Sequence, residues 1–270
     1  MPAILDPNIK SYYEQDRESD RLERGPYKLE FSRTQELVLR FLPQSPCTIL
    51  DIGGGTGIYA GWLANSGHDV HLMDVMPNHI EQARQNPENA RIKSFKVGDA
   101  RELDYETESA DVTLLFGPLY HLLDKEDRLR CLCEAYRVLK PNGLLLAVGI
   151  SRYALLLDGL FEDFYTNHDF AITVLKNVTT GEHDNPKQIT HYFTTAFFYH
   201  PQQFKDEVLA AGFTIDNLYA VEGPARFMQA FDQHWDDPER RELVLNLIRL
   251  IETEPTLIGA SAHMMIVARK

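Results

Sequence analysis

The segment Leu50-Asp51-Ile52-Gly53-Gly54-Gly55-Thr56-Gly57 holds the densest chemistry in the chain. Four glycines there follow a short apolar run and precede residues with a helical pattern. Glycines at such a junction let the backbone approach a ligand closely. The exposed N–H groups at the start of a helix favour an anionic group. A P-loop needs Gly-Lys followed by Ser or Thr, and the chain has no Gly-Lys pair. A dinucleotide loop can be laid on Gly55, Gly57 and Ala60, but the match is weak. The pattern acid-x-Gly-x-Gly-x-Gly fits Asp51, Gly53, Gly55 and Gly57 without adjustment.

Two further acids stand at strand ends. Asp74 closes Val70-His71-Leu72-Met73-Asp74, 19 residues after Gly55. An acid there accepts both hydroxyls of a ribose, a device that dinucleotide and adenosyl sites share. Asp99 follows Val97-Gly98 and can accept from an adenine amino group. Metal chemistry has little support. His68 and His71 flank a strand without a third ligand, and His183, Asp184 and His191 are close in sequence only. The run Gly149-Ile150-Ser151-Arg152-Tyr153 misses a nucleophile elbow, because position 153 is not glycine.

The elements that must position these residues follow from periodicity. Residues 27–42 read as a helix that Pro43 stops, and 48–52 as a buried strand. A helix at 58–64 leads to a strand at 70–74 and a helix from Pro77 to about Gln85. Strands are expected at 92–97, 112–116 and 144–150, with a helix at 124–139 closed by Lys140-Pro141-Asn142-Gly143. A helix at 201–211, a strand at 213–221, a helical stretch at 225–254 and a strand at 262–268 complete the pattern. Alternating strands and helices over 47–150 mean βαβ units and a mainly parallel sheet. The strand C-terminal ends then share one edge, where ligands bind. The fold class is α/β: a Rossmann-like, doubly wound, seven-stranded sheet with an antiparallel last strand and a cap of inserted segments.

Composition bounds the partners. The 270 residues carry 27 Lys plus Arg and 40 Asp plus Glu, a net charge of −13. A protein living on the phosphate backbone needs a basic footprint, so nucleic acid is not an expected partner. The Arg-rich stretch at 17–24 also holds Glu18, Asp20 and Glu23 and reads as a mixed, solvated face. No secretory signal and no membrane span is visible. The three cysteines, Cys47, Cys131 and Cys133, make no disulfide framework. Residence in the reducing cytoplasm is the expectation. Ten of the chain's 28 aromatics fall within 153–199, a third of them in under a fifth of the length. That segment is either extra core or a cap with an aromatic-lined pocket.

Taken together, LDIGGGTG, HLMD, VGDA, DVTLLFGPLYHL and EAYRVLKPNGLLL resemble the class I S-adenosylmethionine-dependent methyltransferases, over residues 47–150. The last two strands suit that family's antiparallel hairpin. Tyr12, Tyr13 and GASAH at 259–263 resemble a bacterial branch of small-molecule type. The resemblance implies S-adenosylmethionine as cofactor. It implies that Gly53, Gly54, Gly55 and Gly57 lie against the methionine part, with Asp51 nearby. Asp74 would hold the ribose, with Val75 and Met76 beside the adenine. Asp99 and Ala100 would read the adenine edge, and Phe116 and Gly117 would border the reacting methyl. His121 becomes the candidate general base, because it follows that strand end and histidine titrates near neutrality. Tyr12, Tyr13, Tyr120, His191 and Tyr199 are candidates for the acceptor pocket. Amino-methylating nucleic-acid enzymes of the family carry Asn/Asp-Pro-Pro-aromatic after the fourth strand. Phe116-Gly117-Pro118-Leu119-Tyr120 lacks the polar residue and the second proline.

These expectations divide the chain into an N-terminal helical lid (1–42), a cofactor-binding core (43–150), an aromatic-rich cap (151–199) and a C-terminal return with a helical insertion (200–270, insertion 225–254). Two competing functions remain at this point: an NAD(P)-dependent oxidoreductase and a non-catalytic adenosylmethionine-binding regulator. The acceptor is expected to be a small molecule, and the sequence leaves monomer and homodimer both open.

Overall fold

A computed structural model describes residues 6–14, 21–185 and 193–270. Among them a seven-stranded sheet runs in the order β3-β2-β1-β4-β5-β9-β8. Its strands are β1 (Thr48–Ile52), β2 (Asp69–Asp74), β3 (Ser94–Val97), β4 (Ala110–Leu115), β5 (Leu139–Ile150), β8 (Thr214–Ala220) and β9 (His263–Arg269). The first five pair in parallel. The last strand, β9, is antiparallel to both β5 and β8 and lies between them. A two-stranded ribbon, β6 (Glu182–His183) with β7 (Ala196–Phe197), stands apart from it.

Strand side chains alternate between two cores. From β9, Met264, Ile266 and Ala268 join one cluster, and Met265 and Val267 join the other. From β5, Leu145 and Ala147 face the first, and Leu144, Leu146 and Val148 the second. The period of two explains why these strands read as unbroken apolar runs, since both faces are covered. The first layer is built with α6 (Lys125–Val138) and α9 (Pro201–Ala210). The second is built with α2 (Tyr27–Phe41), α3 (Ile58–Asn65) and α4 (Pro77–Gln85).

The remaining helices gather in two smaller clusters. α7 (Ala154–Phe161) and α8 (His168–Thr180) pack around Phe170, Phe198 and Ile150. α10 (Phe231–Trp235) and α11 (Pro238–Ile251) pack Trp235, Leu245 and Ile248 against Leu29 of α2. α1 (Pro7–Tyr13) is capped by Asp6, whose carboxylate accepts from Asn8 N, and buries Ile9. α5 (Pro118–His121) is a single short turn after β4.

One element boundary differs from expectation for an identifiable reason. Lys140–Gly143, expected as a free turn, is the irregular first part of β5. Leu139 pairs with Ala110, and Lys140 Nζ is 2.8 Å from the Asp111 carboxylate. The register then shifts before Leu144 meets Val112. The aromatic-rich segment supplies core more than cavity wall: Phe197 and Tyr199 join the main cluster, and Phe170 and Phe198 join that of α7 and α8. Tyr192 and residues 17–20 of the charged stretch lie outside the described residues.

Candidate functional site

β1 sits between β2 and β4, where the strand order reverses, so the loop after it opens at the switch point of the sheet. There Gly53 N and Gly54 N both donate to Met73 O, at 2.7 and 3.3 Å. Gly53 has φ +70°, and a Cβ on it would stand 2.6 Å from Pro118. The loop is therefore pinned between β2 and α5 and needs glycine. A cavity of about 340 Å³ lies along this edge. Its walls include Asp51, Gly53, Gly54 and Gly55 from the loop, and Asp74, Val75 and Met76 from the end of β2. Asp99 and Ala100 follow β3, and Phe116 and Gly117 follow β4. Gly57 is not in the wall; it caps α3 with φ +83° and its N–H donates to Gly54 O.

The three acids have different surroundings. Asp51 is fully buried and neither carboxyl oxygen has a hydrogen-bond partner. Burial, with repulsion from Asp74 second, pushes its pKa up to about 7. Such an orphaned carboxyl fits an ammonium group entering the cavity. Asp74 accepts from Gly55 N at 2.9 Å and Met76 N at 2.8 Å, and His79 Nδ1 lies 3.2 Å away. It ties the glycine loop to the first turn of α4. Asp99 is forked by Arg101, whose Nη1 also reaches Asp127 at 2.5 Å. The Arg101 guanidinium outweighs burial and holds the Asp99 carboxyl below its ordinary range, although burial is the larger single influence.

At the other end of the cavity the wall is aromatic. His121 Nε2 is 2.7 Å from the Tyr13 hydroxyl, and the His121 ring stacks on Phe193 at 5.6 Å. Tyr13 also stands edge-on to His79 at 5.3 Å, so α1 is clamped between two histidines. Burial lowers the His121 pKa to about 4, which keeps the ring neutral. Neutral His121 accepts the Tyr13 proton at Nε2. Its Nδ1 is buried without a hydrogen-bond partner. Tyr120 lines the cavity and donates to Phe116 O at 2.8 Å.

Two candidates lie elsewhere. Tyr12 packs against Tyr13 and Phe193 behind the wall. Tyr199, expected at the acceptor pocket, is instead core. It is wholly buried and donates to Glu207, which holds Arg128 in a two-point ion pair. A large ring on the last residue of an aromatic run gives no sign of which way it faces. His191 lies outside the described residues. The structure adds Arg21, Leu22, Asp6, Ile9, Tyr59, His79 and Arg101 to the cavity wall. Arg101 had a local signal, two residues beyond Asp99. The N-terminal residues had none, because only tertiary folding brings them here.

The comparisons with known proteins meet this geometry at the same residues. A family model described as a methyltransferase domain matches residues 50–147. The ubiquinone/menaquinone biosynthesis C-methyltransferase of Rickettsia akari is 29% identical over 188 residues, 65% of this chain and 71% of that one. Its counterpart in Acidiphilium cryptum is 37% identical over 123 residues, 44% and 48% of the two chains. These matches support kinship with the class I S-adenosylmethionine-dependent methyltransferases, through a methyltransferase domain at residues 50–147. The same matches support a methyltransferase enzyme, and the geometry of the cavity fits S-adenosylmethionine as its cofactor. Solved structures agree on the fold. A methyltransferase of Methanosarcina mazei superposes with a TM-score of 0.59 at 19% identity, covering 87% of this chain and 96% of that one. One from Mesorhizobium loti gives 0.61 at 15% identity, covering 90% and 100%.

Proposed function

We propose that this methyltransferase methylates a small, flat acceptor held at the Tyr13–His121 end of the cavity. When bound, the cofactor supplies a sulfonium methyl, an electrophile with a neutral leaving group. The chain's part is to hold an O, N, C or S nucleophile in line and to exclude water. Gly53, Gly54 and Gly55 cradle the amino-acid end of the cofactor, with Asp51 receiving its ammonium. Asp74 takes the ribose, Val75 and Met76 flank the adenine, and Asp99 and Ala100 read its edge. Phe116 and Gly117 border the methyl. Tyr13, Tyr120 and His121 face the acceptor, and His121 serves first as a hydrogen-bond acceptor.

The observation that carries this proposal is one cavity uniting the glycine loop, three strand-end acids and an aromatic wall. The aromatic wall and the printed activities of the relatives favour a hydroxylated aromatic acceptor. Relatives include a 2-methyl-6-phytyl-1,4-hydroquinone methyltransferase of rice and a ubiquinone biosynthesis O-methyltransferase of Methylocella silvestris. The charge of −13 weighs against nucleic acid as acceptor. No helix among the described residues is long and apolar enough to cross a membrane, and we place the enzyme in the cytoplasm. Calorimetry with S-adenosylmethionine, its demethylated product and NAD(P) tests the cofactor assignment. Micromolar binding of the first two is expected; binding of NAD(P) alone overturns it. Radiolabelled methyl transfer to a panel of dihydroxyaromatic and amine acceptors then tests the acceptor.

A further inference from the structure

The helix α11 (Pro238–Ile251) has two opposite faces. Leu245 and Ile248 are buried with Trp235 against Leu29 of α2, and the Arg241 guanidinium lies over the Trp235 ring at 5.8 Å. At about 100° per residue, the side turned away from them carries Leu243, Leu247 and Leu250. These leucines are 63, 64 and 80% exposed. Single exposed leucines are ordinary, but three at i, i+4 and i+7 on one helix make a seam. None of them belongs to the cofactor cavity. We infer that this seam is the two-fold interface of a homodimer, in which α11 packs antiparallel against α11 of a second copy.

The pattern is self-complementary. Arg240, Leu243, Leu247, Leu250 and Glu254 are spaced 3, 4, 3 and 4 residues apart, the a and d positions of a heptad. Glu254 stands in the turn just past the end of the helix. A two-fold axis at Leu247 sets that leucine on its own copy, Leu243 beside Leu250, and Arg240 beside Glu254. Each end of the seam then closes on an ion pair. Parallel packing would set Arg240 on Arg240 and Glu254 on Glu254, and like charges oppose it. Both charged groups can take the new partner. Arg240 has an exposed contact of 3.5 Å with Asp237, of a kind that contributes little. Glu254 accepts from the hydroxyl and N–H of Thr256, and no cation pairs with it among the described residues.

One flank of the seam is already rigid. Arg249 donates to Glu242 and Asn246 and reaches Glu36 of α2 at 2.8 Å, so little ordering is left for association to do. Glu239, Glu242 and Glu254 border the leucines, and the chain carries a charge of −13. Helices that lie on anionic membranes carry Lys and Arg beside their apolar face instead. Three leucines per copy fall short of the about 800 Å² per partner of a standard interface, so dissociation in the micromolar range is expected.

Sedimentation velocity on the full chain, from about 1 to 300 µM, reads the equilibrium. A monomer–dimer transition with a midpoint on the order of 10–100 µM is expected. Leu247→Glu places two carboxylates at the axis and should weaken the dimer about 30-fold or more. Arg240→Glu sets acid against acid at both ends and should weaken it about tenfold. Arg240→Glu combined with Glu254→Arg should bring the midpoint back to within about threefold of wild type. These side chains are exposed, so each variant should keep the wild-type urea midpoint and cofactor affinity. A wild type that stays monomeric throughout overturns the inference by itself, and so does a dimer that Leu247→Glu leaves intact. An Arg240→Glu dimer as strong as wild type, or a double variant no stronger than the single one, overturns the antiparallel register. Leu247-dependent binding to phosphatidylcholine–phosphatidylglycerol vesicles by a protein that stays monomeric overturns the dimer in favour of a membrane surface.

Discussion

Replacing Asp51 by Asn separates what the cofactor needs from what the fold would prefer. Asp51 is fully buried with no partner at either oxygen, and its pKa stands at about 7 rather than 3.8. The folded-state value lies above the unfolded one. The bound proton therefore stabilises the fold fully below pH 4, and that contribution is lost as pH rises through about 7. At about 1.4 kcal/mol for each tenfold, the ionised carboxylate costs the ligand-free fold about 4 kcal/mol at pH 8. An Asn side chain removes that charge and adds an unpaired amide costing about 1–3 kcal/mol. Asp51→Asn is thus expected to unfold at higher denaturant concentration than the wild type at pH 8, by about 1 kcal/mol or more.

Binding should show the opposite sign. An ammonium beside Asp51 favours the carboxylate, so the cofactor releases one proton from this group as it binds. With a free-state pKa of about 7, wild-type affinity is expected to rise about tenfold between pH 6 and pH 8. Calorimetry in two buffers of different ionisation enthalpy reads the released proton directly. Asp51→Asn should bind more weakly at pH 8 and show a flat profile. A wild-type affinity constant within twofold over that range, or a variant that keeps the slope, refutes the reasoning.

Three more outcomes follow from the same geometry. A Cβ on Gly54 would stand 2.5 Å from Asp51 Oδ2 and 2.6 Å from Leu72 Cδ1, so Gly54→Ala should lower stability by about 1–3 kcal/mol in urea unfolding and abolish cofactor binding. Arg128→Ala strands the buried Glu207 and frees the carbonyls of Leu122 and Leu123, so a loss of about 3–5 kcal/mol is expected from the same measurement. His121, at about 4 instead of 6.5, makes the fold lose about 3 kcal/mol as pH falls between those values. His121→Gln should remove that acid loss relative to wild type, and an unchanged difference between pH 7 and pH 4 would count against a buried neutral ring.

What the sequence made legible was local. Asp51 lies near the end of β1, Asp74 ends β2 and Asp99 follows β3 by two residues, and β1 and β2 announce themselves by apolar residues. The topology rules put all three on one edge without any knowledge of contacts. The same locality marked Tyr13 and His121 separately, and nothing in the spacing said that they would meet at 2.7 Å. Their contact needs α1 to fold back across the sheet edge, a choice made by burial of Ile9 and by the partners of Tyr13. Tyr199 shows the limit from the other side. Its type suits a pocket, but a buried Arg128–Glu207 pair beside it needs a hydroxyl donor, and that requirement placed it in the core.

The division has a physical origin that bears on acceptor choice. A cofactor of fixed chemistry can be met by backbone amides and strand-end acids, which a short segment encodes completely. The acceptor end is assembled from α1, α5 and Phe193, which precedes β7, none adjacent in sequence. Tyr13 meets His121 and His121 meets Phe193, so this wall is specified by three distant parts of the chain. Substitutions in that network would move the wall without touching a recognisable motif. Two relatives with the same glycine loop can therefore accept different molecules. Exchanging the Tyr13–His121–Phe193 set between them should alter acceptor preference more than exchanging residues 50–57.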